Sequence, residues 1–315
     1  MILELSRKAK RASNPHFHLN NREVLPLTQS QRAYTKYLFM VPAVLIVTMM
    51  IIYPIIYGFV LSLYDTNLVN RWDFVGVRNF IFIFNNPHFV NSLWVTIRFT
   101  LIVVAGHFLF GLLFALLLNK KMKCRLLFRS ILMIPWLFPE IVLGILWSWI
   151  LNPVFGIANY ALISLGILNE PVSWLGSIEY AFTSLSFVAI WRGFPFVMLM
   201  LLAGLQAIPD DLYEAGEIDG CSGFKTLLHI TLPLLLPVLS VTLILNTVIW
   251  FRHFNLVQIL TFGGPANSTM LVSNHIFNSA FSNFRFGEAA AMSVVIFLIC
   301  FILGGVYRWA LKRRD

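Results

Sequence analysis

The sequence predicts an all-α integral membrane protein, and three observations carry that expectation. Hydrophobic residues make up 58% of the 315-residue chain. Charged residues make up 12%, about half of what a soluble domain carries. The apolar residues collect into six runs, roughly 37–64, 92–118, 130–151, 178–204, 234–259 and 289–311, each near the ~20 residues that a helix needs to cross a bilayer core. No run alternates apolar with polar residues, so strands are not expected.

The elements follow in chain order. Residues 1–36, MILELSRKAKRASNPHFHLNNREVLPLTQSQRAYTK, are too long and too polar for a signal peptide, and no small-residue cleavage site follows the first run. They read as an N-terminal tail ahead of a retained first span. A six-span domain fills 37–311, and 312–315 form a C-terminal tail. Pro42, Pro54, Pro135, Pro139, Pro195 and Pro237 lie within or at the ends of spans, where neighbouring helices can compensate the lost hydrogen bonds. Cys124, Cys221 and Cys300 are scattered without a C-x-x-C pair, so neither a disulfide framework nor a metal site is expected.

Basic residues orient the bundle. The N-terminal tail holds Arg7, Lys8, Lys10, Arg11, Arg22, Arg32 and Lys36; the segment after the second run holds Lys120, Lys121, Lys123, Arg125 and Arg129; the chain ends with Arg308, Lys312, Arg313 and Arg314. Loops 65–91, 152–177 and 260–288 are poor in Lys and Arg. Lys and Arg concentrate on the cytoplasmic side, which places both termini inside the cell. The formal net charge of +9 is thereby explained by topology, and no nucleic-acid partner is expected.

Segment 205–233 reverses the pattern: Asp210, Asp211, Glu214, Glu217 and Asp219 face one Lys225. It reads as a helix capped by Asp210 or Asp211, ended by Gly220 and loosened at Gly223, then a second helix 224–230 stopped by Leu232-Pro233. Two readings stand: a solvated loop with helix caps, or a docking element whose acids meet a basic partner.

The segment resembles the EAA loop of inner-membrane permease subunits of binding-protein-dependent ABC importers. Glu214-Ala215-Gly216, Gly220 and Ile230-Thr231-Leu232-Pro233 stand at the family's spacing. AGLQAIPDDLYEAGEIDG upstream and TFGGPANST (261–269) downstream look like the carbohydrate-importer branch, which includes maltose, glycerol-phosphate and oligosaccharide permeases. The resemblance covers about 37–311. Gly216 stands where the family has Ala, and Cys221 where Ala is common; Gly216 softens the first helix by up to about 1 kcal/mol. The resemblance implies a six-transmembrane-helix permease bundle with a cytoplasmic helix-turn-helix coupling loop at 205–233. In the family this loop enters a cleft of an ATPase. Glu214, Ala215, Gly216, Asp219, Gly220, Ile230, Leu232 and Pro233 are the coupling residues it implies, with Glu214 touching the ATPase, Gly220 making the turn and Leu232-Pro233 anchoring the loop.

No G-x-x-x-x-G-K-[ST] motif occurs, and no hydrolase or metalloprotease pattern rises above background. The chain is therefore expected not to be an enzyme and to hold no cofactor; ATP and Mg would sit on partner subunits. The implied partners are a second permease chain in a heterodimer, two ATPase subunits, a periplasmic or extracellular substrate-binding protein, a carbohydrate and membrane lipid, at a bacterial inner membrane. Loops 65–91, 152–177 and 260–288, with Trp72, Phe74, Trp174 and GGPANST, would form the face for the binding protein.

Ionisable residues within spans are costly and mark function by default. Glu179 reads as interfacial, Arg98 as a snorkelling side chain, and His107 as a hydrogen-bonded core residue. Glu140, beside Pro135 and Pro139, satisfies backbone at a kink or lies near a span end. In WRGFPF (191–196), Gly193 and Pro195 are expected to interrupt the helix beside a cavity, with Arg192 serving structure or substrate and Phe196 close by. In NTVIWFRHFN (246–255), Asn246, Ile249, Trp250 and His253 fall on one helical face at i, i+3, i+4 and i+7. An indole for stacking a sugar ring, flanked by polar groups for hydroxyls, suits a carbohydrate; a packed tryptophan with cross-helix hydrogen bonds is the alternative. In the carbohydrate branch the corresponding region lines the sugar site. Arg98, Arg192 and Arg252 outnumber the acids in the spans, favouring an anionic carbohydrate such as a uronate oligosaccharide or sugar phosphate, with a neutral oligosaccharide as alternative. A secondary transporter would instead show an inverted repeat and intramembrane carboxylates for ion coupling.

Overall fold

In the computed structural model, five of the six apolar runs are helices long and apolar enough to cross a membrane, and the other is a sharply bent pair. Residues 29–312 apart from Lys121 are described, with side chains for 37–307. The tail residues 1–28 and 313–315, with Arg7, Lys8, Lys10, Arg11, Arg22, Arg313 and Arg314 of the cations used for orientation, lie outside the described residues.

The chain divides into two compact units, up to Ile55 and from Ile56 onward. In the first, α1 (Gln29–Val47) passes through Pro42 and a π-helical turn, Thr48–Ile52, into the start of α2 (Tyr53–Leu61). Every side chain from Tyr37 to Ile55 is exposed. A helix apolar on all sides is stable only with lipid or other helices around it.

The second unit begins with a feature the sequence reading missed. β1 (Tyr64–Thr66) pairs antiparallel with β2 (Trp72–Phe74), Tyr64 opposite Phe74. The expectation of no strands rested on the apolar runs, and this hairpin lies between two of them. Aromatic residues flank Asp73 on β2 and Tyr64 precedes Asp65 on β1, and Asn67 Oδ1 accepts from the backbone N–H groups of Val69, Asn70 and Arg71, closing the turn.

After α3 (Arg78–Asn85), α4 runs from Pro87 to Asn119. Asn86 caps it by accepting from His88 N at 2.9 Å, with Pro87 preset at the first helical position. The third run is not one straight span. α5 (Arg125–Leu137) and α6 (Glu140–Ile150) meet at 93°, because Pro139 holds Phe138 extended, at φ −70° and ψ 139°. α7 (Ile157–Ser164) precedes α8 (Ile178–Gln206), which is unbroken through Gly193 and Pro195. The expected interruption there is corrected, and packing explains the glycine. A Cβ on Gly193 would fall on the His107 ring and 2.9 Å from Trp250 Cζ2. On α4, a Cβ on Gly111 would sit 2.8 Å from Val197 Cγ1. Small residues let α4 and α8 approach closely, and around their crossing lie the buried Phe99, Val103, Leu185 and Val188.

The acidic segment gives α9 (Asp210–Ile218) and α10 (Phe224–Thr226), followed by a π-helical turn Leu227–Thr231, α11 (Leu232–Phe251) and α12 (Asn255–Leu260). Then come α13 (Val272–Phe277), a π-helical turn Asn278–Ser282 and α14 (Phe286–Lys312).

Candidate functional site

Two groups of residues stand out, one at each end of α11. At its N-terminal end lies the helix-turn-helix. Neither Asp210 nor Asp211 caps α9: Pro209 occupies the N-cap, and both acids lie in the first turn, where they complement the helix dipole. The helix closes as expected on Gly220, whose φ of +78° an L side chain rarely adopts; Cys221 N donates to Gly216 O at 2.8 Å. The second helix does not stop at Leu232-Pro233. It widens through the π-helical turn and continues as α11; Pro233 has no N–H to give the preceding turn, and the widening falls where that bond is lost.

Gly216 is buried, and a Cβ there would land on Ile230 Cδ1. The departure from Ala is thus matched by Ile230, which tethers α9 to the following helix, as do Tyr213 and Thr231 through their hydroxyls at 3.4 Å. Glu214, Ala215, Glu217 and Asp219 are exposed. So are Ile218 and Phe224, 87% and 70% exposed, which the sequence reading did not single out. The signal was present: apolar residues on either side of Gly220 in an acidic setting. The result is an acidic surface with two apolar tips.

At the other end of α11 lies a polar and aromatic cluster. His107 Nε2 lies 3.0 Å from the Ala189 carbonyl and Nδ1 lies 2.9 Å from Asn246 Oδ1, so α4, α8 and α11 are joined through one imidazole. Trp250 packs on His107 at 4.9 Å and stacks on His253 at 4.4 Å with planes 22° apart. Asn246, Trp250 and His253 are buried. Ile249 is 45% exposed and does not join them, so the expected four-residue face is three: its i+3 member points away. His253 stands beyond the end of α11, in the break before α12. Phe196 stacks on Trp136 at 6.1 Å, apart from that group.

Arg192 is paired. Its Nη2 lies 3.0 Å from Glu140 Oε1, Asn255 Nδ2 donates to Glu140 Oε2 at 2.7 Å, and His253 Nε2 lies 4.0 Å from Glu140 Oε1. Glu140 opens α6 immediately after the bend, so its carboxylate also meets that helix's positive end. The sequence reading kept Glu140 as a kink residue and did not name Asn255; one acid and one guanidinium in adjacent spans was the available signal. Arg192 Nε and His253 Nε2 are buried without a hydrogen-bond partner among the described residues. Arg98 lies over the Phe182 ring at 5.0 Å, and Arg252 is exposed.

In the loops poor in Lys and Arg, Trp72 and Phe74 are exposed. Trp174 is held inward, its Nε1 donating to Asn159 Oδ1 at 2.8 Å. GGPANST is fastened by Thr269 to Gly264 O at 2.7 Å and to α4 by Asn91 Nδ2 to Asn267 O at 3.1 Å.

Comparison with known proteins decides the family: residues 107–315 match the binding-protein-dependent transport system inner membrane component. The chain belongs to that family. This permease component is 39% identical over 272 residues to the trehalose/maltose transport system permease protein MalF of Thermococcus litoralis, covering 86% of this chain and 91% of that one. It is 32% identical over 280 residues to the sulfoquinovosyl glycerol transport system permease protein SmoG of Agrobacterium fabrum, covering 88% and 90%. Its fold matches a chain of the bacterial alginate ABC transporter, solved in complex with an alginate pentasaccharide-bound periplasmic protein. The TM-score is 0.79 at 19% identity, covering 90% of this chain and 95% of that one. The permease component is thus a multi-pass, mostly helical membrane protein.

Proposed function

We propose that this chain is one permease half of an ATP-driven carbohydrate importer in a bacterial inner membrane, with both termini cytoplasmic. The observation that carries the reading is α11, which joins an exposed acidic helix-turn-helix at one end to a polar and aromatic cluster at the other. Glu214, Asp219, Ile218 and Phe224 form the surface offered to an ATPase subunit. Ala215, Gly216, Gly220, Ile230, Leu232 and Pro233 set its shape. A second permease chain, a second ATPase and a substrate-binding protein complete the assembly, with ATP and Mg held by the ATPases. The cluster of Arg192, Gly193, Asn246, Trp250 and His253 borders the cargo pathway, and Phe196 and Ile249, apart from it, are candidates only for a wider pathway. Trp250, buried between His107 and His253, fits the alternative of a packed tryptophan with cross-helix hydrogen bonds and shapes the wall rather than offering its face to a sugar. The Arg192–Glu140–Asn255 network supplies donors and acceptors for hydroxyls.

Similarity to the trehalose/maltose and sulfoquinovosyl glycerol permeases supports a carbohydrate cargo. The span cations favour an anionic one, although Glu140 already matches Arg192, leaving Arg98 and Arg252 to carry that preference. The Arg192–Glu140 pairing favours the second reading, a neutral oligosaccharide. The test is ATP hydrolysis by the complete assembly in liposomes, with binding protein and either acidic or neutral oligosaccharides. Stimulation by acidic sugar, lost in Glu214→Ala, supports the anionic reading and the coupling surface. Stimulation by neutral sugar alone assigns the arginines to structure. Stimulation by neither class refutes the carbohydrate assignment.

A further inference from the structure

A second feature lies apart from the cargo cluster, along α5. The stretch from Lys120 to Leu137 contains Lys120, Lys121, Lys123, Arg125 and Arg129 and no acid. Among the described residues, Lys120, Lys123, Arg125 and Arg129 form no ion pair with an acid. Arg125 is half-buried, and its Nη2 is fully enclosed with no hydrogen-bond partner among the described residues. An enclosed guanidinium nitrogen without an acceptor is costly; with no acid paired to the group, its charge is left for an outside anion to match on the open side of this half-buried residue.

Deeper along the same helix is a cavity of about 560 Å³, bounded by Phe110 and Phe114 of α4, Ile131 and Pro135 of α5, and Trp191 and Phe194 of α8. Its walls are almost wholly carbon. Leu132, which also lines it, stands at i+7 from Arg125 and i+3 from Arg129, so cations and apolar wall share one side of the helix. From Arg125 to residues 131–135 the helix rises about 9–15 Å, and half of a bilayer's hydrocarbon core is about 15 Å.

We infer that this is a site for an anionic phospholipid of the surrounding membrane, with its phosphate on Arg125, Arg129 and Lys123 and one acyl chain in the cavity. A soluble anion would match the cations and leave the apolar cavity unexplained; a zwitterionic lipid would match the cavity and leave the cations unmatched. Charge complementarity and depth select a lipid with net negative charge, since basic groups beside a membrane attract anionic headgroups. The inference rests on the membrane-embedded fold and not on the nature of the cargo.

Two measurements on the assembled complex test it. Native mass spectrometry from mild detergent should find phosphatidylglycerol retained in preference to phosphatidylethanolamine. Retention should fall about tenfold in Arg125→Gln/Arg129→Gln and stay unchanged in Arg285→Gln. The second measurement does not depend on a charge variant. In vesicles whose phosphatidylglycerol carries brominated acyl chains, the fluorescence lost on Trp191→Phe should be strongly quenched in the parent protein. With brominated phosphatidylcholine in its place, quenching should be several-fold weaker. Equal retention of both lipids, or retention indifferent to the two arginines, overturns the inference. Absence of Trp191 quenching by either lipid also overturns it, because the cavity is then covered by protein, such as the second permease chain.

Discussion

Replacing Glu140 by Gln removes one charge from a pair in which Arg192 and Glu140 are 18% and 16% exposed. Arg192 then keeps its charge with Nε already lacking a partner. Breaking a buried pair from one side costs about 3–5 kcal/mol; partial exposure brings this toward the lower end, about 2–3 kcal/mol. The amide of Gln can still accept from Asn255, so that hydrogen bond contributes little to the loss. Arg192→Gln should cost a similar amount, because it strands the carboxylate. The double variant Glu140→Gln/Arg192→Gln strands neither charge, although the side chain at 192 is then too short to span the gap; about 1 kcal/mol is expected. The cycle therefore predicts a coupling energy of at least 2 kcal/mol. Denaturant unfolding of the purified complex in detergent measures all four corners. Additive costs, within about 0.5 kcal/mol, would show that the pair is not a closed electrostatic unit and sink the argument.

Three other substitutions probe separate features. Gly193→Ala should destabilise by about 1–3 kcal/mol, because the methyl group meets the His107 and Trp250 rings; an unchanged melting curve would mean that α4 and α8 part easily. Gly220→Ala should cost about 1–2 kcal/mol locally and lower cargo-stimulated ATP hydrolysis in the assembly while expression holds; unaltered stimulation would show that the turn tolerates another geometry. Burial, and then the neighbouring His88, lower the pKa of His275 below 6.5. The unfolded chain therefore takes up this proton first as pH falls. The His275 contribution is complete above about pH 6.5 and is lost toward the folded value, so His275→Gln should flatten stability against pH below that point; a slope identical to the parent would assign it to other groups.

Much of the fold was legible because membrane insertion writes its demands locally. A run of about 20 apolar residues needs no tertiary partner to declare itself, and the Gly220 turn declares itself through backbone conformation. What escaped depended on neighbours. Phe138-Pro139 signalled a break, but its 93° angle also depends on α6 packing against α12, which no local signal announces. Gly193-Phe194-Pro195 looked like a break and is not one, since that glycine serves a helix crossing rather than a hinge. The pairing of Glu140 with Arg192 and Asn255 spans 52 and 115 positions of chain, and nothing local announces it. Ile249 was misplaced because periodicity gives the angle around a helix but not which side is covered.

The uninterrupted helical path from Phe224 to Phe251 has a mechanical consequence. Twenty-six residues separate Phe224 from Trp250, about 39 Å at 1.5 Å per residue, and no flexible joint intervenes beyond the wider turn at Leu227–Thr231. Such a shaft has little slack. A tilt of roughly 10° about one end would carry the other some 7 Å, farther than the reach of any hydrogen bond in the cluster. Force applied at the acidic end therefore arrives at the tryptophan as displacement rather than being dissipated in loops. The same stiffness works backwards: whatever seats itself beside Trp250 and resists that motion is felt at the acidic tip.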